Sequence, residues 1–147
     1  MLSIIVVNYK NPPLLRLCLK SLIGTLAPDF KYEIVVVDVS STIETRGVVS
    51  EFDGVKILPF KNNIGYTRGV NEGIKNSNGE AFLIINSDII PLKNSIEKTY
   101  NHLIRNPDIG MMGPQLLNFD GSIQSSSFNF YGPLTIVYRR TFIGHLP

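Results

Sequence analysis

Apolar runs and helical patterns alternate along the first two-thirds of the chain. Four short apolar runs are each typical of a buried strand, and the segments after them carry apolar residues every three or four positions, as on one face of a helix. This alternation predicts an α/β domain with a mostly parallel sheet, right-handed crossovers and helices on both faces. The runs are residues 3–7, 33–37, 55–60 and 81–85, and the helices are predicted over 12–24, 43–52, 66–76 and 94–105.

The fourth run is the strand around which the other elements are arranged. Its five consecutive apolar residues, 81–85, predict a central strand that is buried on both faces. It ends in Asn86-Ser87-Asp88, so a carboxylate stands at the carboxyl end of a strand, where open α/β sheets bind their ligands. Asp88 either caps the following helix or binds a hard cation such as Mg²⁺ or Mn²⁺.

The last third of the chain has a different pattern. Residues 109–117 are strand-like, residues 118–121 have the composition of a hairpin turn, and residues 122–130 are a candidate return strand. Residues 133–147 contain an apolar segment with two adjacent arginines. We expect residues 1–132 to form one domain, and the tail to begin a further C-terminal region that contacts a membrane surface or a second subunit.

Composition narrows the functional classes. With 44% hydrophobic and 18% charged residues, the 147-residue chain is typical of a globular protein. A net charge of +2 argues against a nucleic-acid partner but permits binding of one anionic small molecule. A single cysteine, Cys18, excludes a disulfide within the chain, and its apolar neighbours indicate a core residue. A chain without disulfides is expected in the cytoplasm, and the apolar tail could add peripheral contact with the membrane. No apolar run approaches the roughly 20 residues of a membrane span.

Several phosphate-binding and hydrolytic motifs are absent. The first strand-to-helix turn, residues 8–13, has no glycine, which excludes a dinucleotide-binding fingerprint. The chain has neither the P-loop pattern nor the G-x-S-x-G pattern of serine hydrolases. A phospho-receiver domain needs clustered acids after its first strand, where this chain has Asn8. The chemistry must therefore come from other residues at the strand ends.

Polar side chains follow successive strands at the point where each strand ends. Asn8 and Tyr9 follow the first strand, Asp38 follows the second, Asn62 and Asn63 follow the third, and the segment 86–88 follows the fourth. In a parallel sheet these ends share one edge, where an aromatic ring, carboxylates and amides suit a nucleotide-sugar with its metal. The alternative is that these residues only satisfy turns.

Three glycines fall four residues apart, on one face of the third helix. Gly65, Gly69 and Gly73 allow either close packing of the helix on the sheet or, at Gly65, the approach of a phosphate or sugar to backbone amides. Arg68 and Asn71 lie in the same segment. They are either ligand contacts or solvated surface residues.

Five segments together resemble the family 2 glycosyltransferases with the GT-A fold, and within them the rhamnosyltransferase-like branch. The resemblance implies a GT-A-type nucleotide-diphospho-sugar transferase fold, and the segments cover nearly all of the chain in the order of the family. They are SIIVVNY at 3–9, IVVVD at 34–38, NIGY with NEG within 63–73, LIINSD at 83–88, and GPQLLN with DGS within 113–122.

The resemblance implies transfer of a sugar from a nucleoside-diphosphate donor with inversion. Asp38 matches the family's nucleotide-contacting acid, and Tyr9 would lie beside its base pocket. Asp88 matches the last acid of the D-x-D motif, which binds the divalent cation at the diphosphate. The chain departs from the family pattern at Asn86, which replaces the first acid, and at Val39, where an acid or asparagine is usual.

The expected ligands follow from the same resemblance. The donor is a UDP- or dTDP-sugar, the acceptor is a saccharide or lipid-linked acceptor, and the cofactor is Mg²⁺ or Mn²⁺ bound by Asp88. The catalytic base is expected beyond Pro147, so the chain is the donor-binding half of an enzyme. The expected nucleotide-sugar contacts are Asn8, Tyr9, Asp38, Gly65, Arg68, Asn71 and Asn86.

Two other functions are compatible with parts of the pattern. The chain could be a non-catalytic binding or assembly module that joins a partner through its apolar tail. A nucleotidyltransferase also handles sugar nucleotides, but it requires a glycine-rich basic loop after the first strand, which this chain lacks.

Overall fold

Strands and helices alternate along the chain, as the hydrophobic pattern predicts. The fold is given by a computed structural model that describes residues 1–40 and 42–126. Every regular strand and helix of the described residues lies in one unit, Met1–Met112, and a second unit begins at Gly113. In chain order the elements are β1 (Leu2–Asn8), α1 (Pro12–Thr25), β2 (Tyr32–Asp38), α2 (Ile43–Val49), β3 (Val55–Pro59), α3 (Tyr66–Lys75), β4 (Ala81–Asn86) and α4 (Ser95–Arg105).

The strands form a parallel sheet in the order β3-β2-β1-β4. In this register Asn8 at the end of β1 is paired with Asp38 at the end of β2. On the other side of β1, Val7 is paired with Asn86 at the end of β4. The carboxyl ends of three strands therefore lie side by side, which confirms the predicted mostly parallel sheet flanked by helices.

Helices cover both faces of the two central strands, β1 and β2. On one face the buried residues of α1, such as Leu15 and Leu19, share a core with Ile4 and Val36. Helices α2 and α4 contribute to the same core. On the other face α3 packs on β1 and β2 through a smaller cluster that includes Val70. None of the helices in the described residues is long and apolar enough to cross a bilayer.

The prediction that residues 81–85 form a central strand buried on both faces is wrong for the sheet of the described residues. β4 lies at the edge of that sheet. Phe82 and Ile84 are 40% and 43% exposed, whereas Ala81 and Ile85 on the opposite face are buried. The reason is that α3 packs on β1 and β2. It therefore leaves this face of β4 open.

The hairpin turn predicted at residues 118–121 is confirmed, but the strand predicted over 109–117 is not. Asn118 N donates to Ser122 O at 2.9 Å, and Gly121 has a φ of 81°. A single antiparallel bridge joins Leu117 to Ile123, and it is the only strand-like pairing within residues 109–126. The return strand beyond residue 126, the boundary after residue 132 and the apolar tail at 133–147 lie outside the described residues.

A polar network closes the opposite end of the sheet, at the amino ends of β1 and β2. Ser3 Oγ donates to Glu33 Oε1 at 2.6 Å, and Gly79 N donates to Ser3 Oγ at 2.8 Å. Partial burial alone would raise the pKa of Glu33, but hydrogen bonds from Asn78 and Ser3 and the charge of Lys56 outweigh it and hold that pKa below its usual value. The ionised carboxylate is therefore favoured by folding.

Glu33→Gln is expected to make the stability of the protein less dependent on acid pH. Because the folded pKa of Glu33 is lowered, its contribution is present above the pKa of the unfolded chain and is lost as pH falls through the folded value. At neutral pH we expect a loss below about 1 kcal/mol, since the group is largely solvent-screened.

Urea unfolding of the two proteins between neutral and acid pH measures this difference. Asp108→Asn is the matched control, because Asp108 is exposed and accepts no hydrogen bond from the described residues. Parallel stability curves for wild type and Glu33→Gln would contradict the account of this network.

Candidate functional site

An open cavity of about 380 Å³ lies at the carboxyl ends of β1, β2 and β4, beside the start of α3. Four of the residues predicted as nucleotide-sugar or metal contacts line it together: Tyr9, Gly65, Asn86 and Asp88. They come from three separate parts of the chain, which the parallel sheet and the following helix bring to one place. The other lining residues are Val7, Asn11, Val39, Asn63, Tyr66 and Ser87.

Two tyrosines supply the aromatic surface of the cavity. Tyr9 follows β1 and is 50% exposed, and Tyr66 begins α3 and is 52% exposed. The ammonium of Lys10 lies 5.3 Å from the centroid of the Tyr9 ring, a favourable cation–π distance. Both rings can stack on a planar ligand such as a nucleobase.

The carboxylate of Asp88 is exposed at the end of β4. It does not cap the next helix, because α4 begins at Ser95 with Asn94 as its N-cap, so the capping alternative is wrong. Among the described residues that line the cavity, Asp88 is the only acidic one, and Asn86 adds an amide oxygen beside it. Within residues 1–40 and 42–126, no group of three or more His, Cys, Asp or Glu side chains could hold a metal.

The Asp88 carboxylate and the Asn86 amide suit a divalent cation that has further ligands of its own. Carboxylate and amide oxygens are hard ligands suited to Mg²⁺ or Mn²⁺. One carboxylate leaves most coordination positions open, and Mg²⁺ commonly fills such positions with water and substrate phosphates. The site therefore suits a cation that arrives with a diphosphate better than a cation held by the protein alone.

The start of α3 lies at the cavity, where Gly65 and Tyr66 line it. Gly65 has a φ of 78°, a conformation that side-chain-bearing residues rarely adopt, and its N–H donates to Asn63 Oδ1 at 2.8 Å. No side chain of residues 1–40 or 42–126 caps the helix at this end. Uncapped amides at a helix N-terminus favour an anion. Arg68 and Asn71 are exposed on α3 and are absent from the cavity lining, so their predicted contacts stay predictions.

Asp38 and Asn8 lie beneath the cavity and do not line it. Asp38 is fully buried, and its two oxygens accept hydrogen bonds from Ser40 N, Ser40 Oγ and Thr42 N at 3.0–3.2 Å. Asn8 is also fully buried, and its amide donates to Thr45 Oγ1 at 3.3 Å. In this structure both side chains hold the turn between β2 and α2, and their predicted direct contact with a donor stays a prediction.

The thiol of Cys18 lies directly below the end of β4. Its Sγ donates to Asn86 O at 3.8 Å. Desolvation, and then the negative charge of Asp88, raise the pKa of the Cys18 thiol to about 12. A thiol with this pKa is protonated and unreactive at neutral pH. Cys18 is therefore a core residue, as the sequence predicts.

Four residues that were not predicted as contacts from the sequence also line the cavity: Val7, Asn11, Val39 and Tyr66. Tyr66 belongs to the same NIGY segment as Asn63 and Gly65, so the motif carried a signal that was assigned to the asparagine and the glycine but not to the tyrosine. Val7 gave no signal, because an apolar residue at the end of a strand is usually part of the core, and Val39 was noted only as a departure from the family pattern.

Solved structures show that this architecture is the GT-A fold of glycosyltransferases. S. aureus TarS, solved in complex with UDP-GlcNAc, has a TM-score of 0.63 and 27% identity, covering 71% of this chain and 31% of that chain. The mannosyltransferase PcManGT from Pyrobaculum calidifontis, solved with GDP-Man and Mn²⁺, has a TM-score of 0.68 and 23% identity, covering 74% of this chain and 33% of that chain. At that identity the second likeness shows the fold alone.

The family follows from the sequence comparison. The family described as Glycosyl transferase family 2 matches residues 3–141, and the chain belongs to it. A relative from Methanococcus voltae is named as a dolichyl N-acetyl-alpha-D-glucosaminyl phosphate 3-beta-D-2,3-diacetamido-2,3-dideoxy-beta-D-glucuronosyltransferase. It is 29% identical over 95% of this chain, which spans 44% of the relative's length. None of these three proteins is named a rhamnosyltransferase, so that branch stays a prediction.

Proposed function

We propose that this chain binds the donor of an inverting, metal-dependent glycosyltransferase that builds a polysaccharide or glycolipid. The observation that supports this best is that Tyr9 and Asp88, one suited to a nucleobase and the other to a cation, line the same cavity. The donor would be a nucleoside-diphosphate sugar, with UDP and dTDP as the first candidates. The named neighbours bind UDP-GlcNAc and GDP-Man, which fits this class of ligand.

Each part of the cavity has a role in this proposal. The Tyr9 and Tyr66 rings hold the base, and the uncapped amides at the start of α3 lie on the side of the diphosphate. Asp88, with Asn86 beside it, would hold Mg²⁺ or Mn²⁺. When bound, the cation stabilises the negative charge that develops on the leaving diphosphate.

Inversion requires a base that removes the proton from the acceptor hydroxyl as the glycosidic bond forms. Asp88 is committed to the cation in this proposal, and Asp38 is buried and hydrogen-bonded on both oxygens. We therefore assign the role of this base to neither of these two carboxylates. The acceptor would be a saccharide or a lipid-linked saccharide, reached in the cytoplasm or at the membrane surface.

A thermal-shift panel tests the proposal. We expect UDP, dTDP or GDP to raise the melting temperature, and Mn²⁺ to enlarge the rise, because a ligand that binds only the folded state stabilises it. Mn²⁺ alone and inorganic pyrophosphate with Mn²⁺ are the controls that separate the cation and the diphosphate from the base. A melting temperature that no nucleotide changes, with or without Mn²⁺, would contradict the proposal.

A further inference from the structure

Lys10, directly after the cavity residue Tyr9, has an unusual backbone conformation. Its φ is 49°, in the left-handed region that non-glycine residues rarely occupy. Such a conformation persists where surrounding contacts hold it. The contact here is a hydrogen bond from Lys10 N to Ser40 Oγ at 3.3 Å, so a residue that follows β2 holds the turn that follows β1.

Ser40 is itself fixed by a buried carboxylate. Its hydroxyl donates to Asp38 Oδ1 at 3.0 Å, and its backbone N–H donates to the same oxygen at 3.2 Å. The other oxygen of Asp38 accepts from Thr42 N at 3.2 Å. Because Asp38 is fully buried at the end of a central strand, it is a rigid anchor for the Ser40 hydroxyl.

The position of the Tyr9 ring depends on Lys10 in two ways. Tyr9 is joined to Lys10 through the backbone, so the left-handed turn sets the direction in which the ring leaves the strand. The Lys10 ammonium also lies 5.3 Å from the ring centroid. Because half of the Tyr9 surface is exposed, the ring has little other packing to fix it.

We propose that Ser40 is a positioning residue, which links the buried carboxylate of Asp38 to Lys10 and thereby holds the Tyr9 ring against the cavity. This inference rests on the proposed nucleotide site. According to this inference, Asp38 and Ser40 affect the affinity for the ligand without touching it, because both determine the shape of the turn that carries Tyr9.

Calorimetric titration with UDP and Mn²⁺, with dTDP and GDP in parallel, tests the proposal on three serine variants. Ser40→Ala removes the link and should weaken nucleotide binding about three- to tenfold, the effect of one hydrogen bond. Ser40→Thr keeps the hydroxyl and should stay within about twofold of wild type. Ser50→Ala is the control, because it removes a hydroxyl hydrogen bond, to Gly47 O at 2.8 Å, from the far end of α2.

A double variant separates positioning from general damage. Tyr9→Ala should weaken binding about tenfold or more, because the stacked ring is lost. If Ser40 acts through Tyr9, then Ser40→Ala should cause no further loss in the Tyr9→Ala background. Equal losses from Ser40→Ala in both backgrounds, or wild-type affinity of Ser40→Ala, would overturn the inference. Unchanged affinity of Tyr9→Ala would instead contradict the proposed nucleotide site itself.

Discussion

Asp88→Ala is expected to abolish the Mn²⁺-dependent part of nucleotide binding. Of the residues in the described part of the chain that line the cavity, Asp88 alone is acidic, so its removal takes away the charged ligand that they offer a cation. Removing a group that only supports a metal ligand costs 10–100-fold in metal affinity or activity, and we therefore expect the loss of a ligand to cost about 100-fold or more. Calorimetric titration of UDP at fixed Mn²⁺, and again with EDTA, measures the two parts separately.

Two further variants make this result specific. Asp88→Asn keeps the size of the side chain and one oxygen but removes the charge, so it should lose most of the Mn²⁺ effect. Asp53→Asn removes an exposed carboxylate after α2, away from the residues that line the cavity, and should bind as wild type does. If Asp88→Ala keeps the full gain in affinity from Mn²⁺, then Asp88 is not the metal ligand.

Gly73→Ala is expected to destabilise the protein by about 2 kcal/mol, as overpacking a close-packed contact does. An alanine Cβ at this position would lie 2.4 Å from Ile5 Cγ2 and 3.1 Å from Val37 Cγ2. Both side chains are fully buried and belong to central strands, so neither can move away at low cost. This clash should exceed the roughly 1 kcal/mol that alanine gains over glycine in a helix. Urea unfolding measures the change.

Gly47→Ala is the matched control for this prediction. Gly47 lies in α2, and an added Cβ there has no atom within 4 Å. Its replacement should therefore stabilise the protein by about 0.5–1 kcal/mol through helix propensity. If both variants are stabilised equally, then α3 is not held close to the sheet by its glycines.

The glycines of α3 show which of two sequence interpretations applies at each position. At Gly69 and Gly73 the close-packing interpretation is confirmed, because a Cβ at either would press on the valine and isoleucine side chains of the sheet. Gly65 differs: an added Cβ would meet nothing, and glycine is favoured by its positive φ. The regular spacing of the three glycines therefore has two separate causes: close packing at Gly69 and Gly73, and a positive φ at Gly65.

The alternation of strands and helices could be predicted because β1 and β2 are covered on both faces and read as continuous apolar runs. For β4 the prediction of burial on both faces was wrong. Its apolar run is like those of β1 and β2, yet Phe82 and Ile84 are exposed. An apolar run shows that a strand is hydrophobic, but it does not show which elements pack against that strand. The position of β4 in the sheet therefore could not be predicted from the sequence pattern.

Residues of the candidate site could be predicted where their place at the end of a strand brings them to the cavity. They were predicted less well where hydrogen bonds within a loop set the direction of the side chain. Tyr9, Asn86 and Asp88 meet because parallel strands end at one edge. The direction of the Asp38 carboxylate is set by hydrogen bonds from Ser40 and Thr42. Aspartate side chains commonly accept such hydrogen bonds from residues that follow closely in the chain. These local bonds turn its oxygens into the loop and away from the cavity, which a motif match does not reveal.

The most direct test of this account is to locate bound Mn²⁺ by nuclear magnetic resonance on isotope-labelled protein saturated with UDP or dTDP. The paramagnetic ion broadens nearby amide signals. We expect selective broadening at Ser87, Asp88 and Gly65, with little effect at Glu33 on the opposite end of the sheet. Broadening that is absent with nucleotide present, or that centres on residues away from this cavity, would contradict a cation-bridged diphosphate at the end of β4.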